Sequence, residues 1–86
     1  MKMMYVISAS GDSTEIMKPI AVLKNNYPEL VAEVVENWLV KLGYNRKMDA
    51  DWFDEIMSEL LAFGEYDDSD GDSEVHIIVS TVEMYN

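Results

Sequence analysis

NYPELVAEVVENWLVKLG, Asn26 to Gly43, reads as one amphipathic helix, and the rest of the chain reads as the material that covers its apolar face. Pro28 suits a first helical position, because its φ is preset and the N–H it lacks would have no partner there. Glu29 sets a negative charge near the positive end of the helix dipole, and Lys41 a positive charge near the negative end. Val31, Val34, Val35, Trp38, Leu39 and Leu42 recur at spacings of three and four and make an apolar stripe, which Leu30 broadens. Glu29, Glu33, Glu36, Asn37 and Lys41 fall elsewhere on the wheel. Gly43 can take the left-handed conformation that ends many helices. Valine is a mediocre helix former, so burial and not propensity must stabilise the stripe.

A second helix follows after the short basic connector Tyr44 to Met48, over roughly Ala50 to Phe63. Asp49 is a suitable N-cap and Gly64 a suitable stop. Trp52, Phe53, Ile56, Met57, Leu60, Leu61 and Phe63 form its apolar stripe, with Asp51, Asp54, Glu55, Ser58 and Glu59 opposite. A connector this short favours antiparallel neighbours.

Met3 to Ser10 is rich in Tyr, Val and Ile and reads as a strand, followed by the turn cluster Ser10 to Ser13. Thr14 to Lys24 has two readings. As a helix it would start at Pro19; as a strand Pro19 makes it an edge strand. The strand reading gives a hairpin with the first segment and is preferred, because a two-stranded sheet is marginal alone. Glu65 to Glu74, EYDDSDGDSE, has six acids in ten residues and reads as a loop. Val75 to Tyr85 is the clearest strand. Both of its alternating faces are partly apolar, as in a central strand. The expected architecture is α+β, a single domain over residues 1–86. It has a small sheet of two or three strands, made of an N-terminal strand or hairpin and the C-terminal strand. Two antiparallel amphipathic helices pack on one face. The other face would expose Ile78, Val82 and Met84, which marks an apolar interface for a homodimer or a partner.

Composition narrows the function classes. There is no cysteine, which excludes a disulfide framework and thiolate metal sites. No hydrophobic run approaches the length of a membrane span, and MKMMYVISAS lacks the apolar core of a secretory signal, so a cytoplasmic location is expected. Net charge is −11. Residues 1–28 carry three cations against two acids, net +1; residues 29–86 carry three cations against fifteen acids, net −12. Such a field repels nucleic acid and anionic membranes and favours a larger protein with a basic surface. Its plainest use is solubility.

No catalytic or cofactor motif emerges. Aligning Gly71 with the sixth position of a calcium-binding helix–loop–helix puts Asp70 at five and Asp68 at three. Tyr66 then falls at one and Ile77 at twelve, where ligands are required. His76 is the sole histidine, and a serine nucleophile would need it as base; Ser80 shares its face at a spacing of four. A structural His is the commoner outcome. Arg46 and Lys47 beside Tyr44 are too few for a nucleic-acid site. Neither a Gly-rich phosphate loop nor a metal-ligand spacing is present, so no metal, cofactor or enzymatic activity is expected.

What remains is the acidic surface. Glu29, Glu33 and Glu36 lie on consecutive turns of the first helix, and Asp51, Asp54, Glu55 and Glu59 on those of the second. Asp67, Asp68, Asp70 and Asp72 add charge in the loop. A four-residue step advances about 6 Å along a helix, within a factor of two of the phosphate spacing along one DNA strand. These rows are the expected partner-binding residues. In size, charge, lack of cysteine and lack of a catalytic motif the chain resembles small acidic bacteriophage proteins that inhibit CRISPR, restriction or related defence enzymes. The resemblance implies a non-catalytic inhibitor, with nucleic-acid mimicry as one mode of action; it assigns no residue a role.

Overall fold

In the computed structural model, which describes residues 2–11, 16–68 and 74–84, strand β1 (Lys2–Ser10) is followed by β2 (Lys18–Leu23). Helices α1 (Pro28–Lys41) and α2 (Ala50–Phe63) come next, then strands β3 (Glu65–Asp67) and β4 (His76–Met84). The strands form one antiparallel sheet in the order β2-β1-β4-β3. The fold is α+β, with four strands among the described residues where the sequence suggested two or three. Asp12, Ser13, Thr14, Asp70 and Asp72 lie outside the described residues.

Of the two readings of Thr14 to Lys24, the strand holds over Lys18–Leu23. Its described part pairs with β1 from Tyr5↔Leu23 to Ala9↔Lys18, and the register shifts between Ile7 and Ser8. Pro19 is tolerated because β2 is an edge, where one side of the backbone has no neighbour to bond. The shift and the proline also blunt that edge against further pairing.

The extra strand is β3, within the stretch read as loop. Two of its three side chains are acids that point to solvent, so no apolar run announces it. Tyr66, between them, is 5% exposed and joins the core. Gly64 turns the chain into this strand. Its φ of 73° is left-handed, its N–H bonds the Leu60 carbonyl, and its own carbonyl accepts from the Val79 N–H at 2.8 Å. An added Cβ would meet Val79 O at an unstrained 3.6 Å, so glycine is required here by backbone conformation and not by space.

Side chains alternate across a sheet, and directly paired antiparallel residues share a face. One face carries Ile7, Ala9, Tyr66, Val75 and Ile77, which cluster with Val31, Val35 and Leu39 of α1 and Phe53, Ile56 and Leu60 of α2. The helices divide the sheet: α1 packs over β2, and α2 over β3 and β4. The apolar stripes are narrower than their sequence periodicity implied. Leu42, Leu61 and Phe63 are exposed, and Trp38 is half-buried. Each helix meets the sheet along one line of buried side chains, so residues at the stripe margins stay in water.

Helix α1 ends as expected, at a left-handed Gly43, whereas the start of α2 differs from expectation. Helix α1 closes by bonds from Gly43 N–H to Val40 O and from Tyr44 N–H to Leu39 O, with Gly43 at φ 108°. This is the paired bonding that left-handed glycine permits. Asp49 does not cap α2 through its side chain. Its Oδ2 accepts from the Asn45 N–H at 2.8 Å and ties the preceding turn instead.

Candidate functional site

The helical acids lie on the outer layer. Val34, Asn37, Trp38 and Lys41 of α1 line a cleft of about 210 Å³ together with Ile20 and Ala21 of β2. Glu29, Glu33 and Glu36 fall on the other side of the buried stripe at about 100° per residue, on the flank turned towards α2. Arg46, in the connector, reaches back to pair with Glu36 at 3.4 Å and bonds Asn37. On α2, Asp54 lies on the flank away from β3, and Asp51 and Glu55 point outwards. Glu59 leans towards β3. All seven helical acids are exposed or half-exposed. Among the described residues Glu36 has a basic partner, whereas no ion pair neutralises Glu29, Glu33, Asp51, Asp54, Glu55 or Glu59.

The structure joins the α2 row to the β3 edge. Trp52 donates its indole N–H to the Tyr66 hydroxyl at 2.8 Å and stacks edge-on to the Tyr66 ring, with centroids 6.4 Å apart. Tyr44 packs on the same indole at 4.7 Å. Burial raises the Tyr66 pKa above its ordinary 10.0; the Trp52 bond opposes this, and the charges of Asp68, Glu55 and Glu59 raise it further. Two acids of α2 and one beside β3 therefore share one local field.

A raised phenol pKa means that the folded state holds its proton after the unfolded state has lost it. Tyr66 therefore contributes full stability below the unfolded value of about 10 and loses it as pH rises from there through the folded pKa. Thermal unfolding at about pH 9 and about pH 11 should show a smaller alkaline loss of Tm in Tyr66→Phe than in the parent. Equal losses would refute a role for this hydroxyl.

A second grouping was not visible in the sequence. Glu65 and Asp67, two apart on β3, share the side of the sheet away from the helices. Asp67 pairs across the ladder with His76. Glu65 Oε1 lies 2.7 Å from His76 Nε2, and one ligand atom each from Glu65, Asp67 and His76 falls within 4.8 Å of the others. The expectation of no metal-ligand spacing rested on contiguous motifs. Here His76 lies nine residues from Asp67 and eleven from Glu65, and the three groups meet through β3, the strand the sequence concealed. Asp68 stands beside this strand, its N–H bonded to Val75 O.

The same sheet face carries Met4, Val6, Val22, Ile78 and Val82, interrupted by Ser8 and Ser80. Val22 is 57% and Val82 43% exposed, while Ile78 is half-buried between its neighbours. Met84 ends β4 in register with Lys2. Among the described residues no helix is long and apolar enough to cross a membrane. Comparison with protein-family models, with curated proteins and with solved structures found no match.

Proposed function

We propose that this protein is a non-catalytic inhibitor or regulator that occupies a basic surface of a larger protein with its helical layer. The observation that carries this reading is the unneutralised charge of Glu29, Glu33, Asp51, Asp54, Glu55 and Glu59 on one outer layer. Like charges crowded on a small fold repel one another, and a basic partner relieves that repulsion. A surface that holds nucleic acid is the matching chemistry, which supports inhibition of a nucleic-acid-processing or defence enzyme by mimicry. The cytoplasm is the compartment in which such an encounter would take place.

The test begins with the tagged protein, expressed in its native host, and mass spectrometry of what is retained with it. Affinity for the partner so identified should fall at least about tenfold between 0.05 and 0.5 M salt. Reversing Glu33, Glu36, Asp54, Glu55 and Glu59 to lysine changes formal charge by ten, from −11 to −1. It should abolish binding with the fold retained. Undiminished affinity in that variant would refute the electrostatic reading.

The open sheet face favours a second reading, in which the protein binds through apolar surface, as a homodimer or to a partner, and the charge serves solubility. Binding that ignores salt and the five reversals but is lost in Val82→Asp would select it, since a carboxylate at a desolvated contact is strongly unfavourable.

A further inference from the structure

We infer that Glu65, Asp67 and His76 form a zinc-binding site on the β3–β4 ladder. Two carboxylates and one imidazole come from adjacent strands onto one side of the sheet, with their ligand atoms already within 4.8 Å of one another. Zinc bound by nitrogen and oxygen at about 2.0–2.2 Å holds tetrahedral ligands about 3.3 Å apart, so small side-chain rotations suffice. The present 2.7 Å approach of Glu65 to His76 is a hydrogen bond. In the metal complex both groups turn their lone pairs to the ion instead.

The scaffold is set by backbone. Val79 N–H to Gly64 O and Asp68 N–H to Val75 O, both 2.8 Å, bracket the ladder, and Tyr66 anchors β3 from the opposite face. The ligand set selects the metal. Calcium requires six to eight oxygens and magnesium an octahedron rich in water, whereas an imidazole with two carboxylates suits zinc and its neighbours. Three protein ligands leave a fourth position for water or for a side chain of a bound protein. The ion would neutralise two acids of an edge strand and fasten that strand to β4. This inference is independent of the role of the helical acids.

The intact chain tests it directly, because the sole histidine gives an unambiguous imidazole signal in NMR. Titration with zinc should move that signal to a bound set that saturates at one equivalent. His76→Ala and Glu65→Gln should each weaken zinc binding, measured by calorimetry, by more than about tenfold, and Asp54→Asn should leave it unchanged. The Tm of the parent should rise with zinc, and that of His76→Ala should not. An unmoved imidazole signal, equal affinity for calcium and zinc, or no saturable binding up to about 1 mM would each overturn the assignment.

Discussion

Leu39→Ala will lower the stability of this fold by about 2–5 kcal/mol, the range for emptying a buried leucine site. Leu39 is fully buried, and it sits where α1, α2 and the sheet share one cluster. The loss combines the transfer free energy of the removed carbons with the cavity they leave. For a domain of this size, stability is of the order of 5–10 kcal/mol, so the variant loses a large fraction of it. Its Tm should fall by about 10–30 °C. Leu61→Ala is the matched control. Leu61 is 57% exposed on α2, and its truncation should change stability by no more than about 0.5 kcal/mol. Urea unfolding of both variants measures the difference; similar midpoints would mean that the core is not where the structure places it.

Tyr66→Ala should be as damaging, for a different reason. The ring is the apolar anchor of a three-residue strand, and its hydroxyl accepts the Trp52 indole N–H. Truncating a buried aromatic residue costs about 3–5 kcal/mol. Tyr66→Phe keeps the ring and loses the hydrogen bond, which is worth about 1 kcal/mol and leaves the indole N–H to find water. The two variants therefore divide ring packing from hydrogen bonding. Without the anchor, Glu65 and Asp67 lose their fixed position beside His76, so Tyr66→Ala should also weaken zinc binding while Tyr66→Phe keeps it. If Ala and Phe were equally mild, β3 would be held by its ladder bonds alone.

Both helices were legible because their start, period and stop signals agree within a window of fourteen residues. Pro28, the Val31–Val35–Leu39 spacing and Gly43 each act through neighbours a turn away, so local sequence carries the information. The first and last strands were legible for a similar reason, because their β-branched and aromatic runs are long. Asp49 shows where local reasoning stops: its type suits a cap, yet the Asn45 N–H competes for the same carboxylate and wins. Strand β3 was hidden because one tyrosine between two acids makes no pattern. Its strand state depends on partners supplied by β4, about ten residues further along the chain.

By itself, then, the sequence determined the α+β class, the two helices with their inward faces, and the excess of acid after residue 28. Each of these follows from composition or from periods of two and 3.6 residues. The tertiary structure decided which acids stand together. It placed Glu55, Glu59 and Asp68 around one buried phenol, and brought Glu65 and Asp67 to the only histidine in the chain. The physical reason is strand pairing: β1 and β4, from opposite ends of the chain, fill the middle of the sheet and leave the short acidic strand to complete its edge. Neighbours made by such long-range pairing have no signature in local sequence.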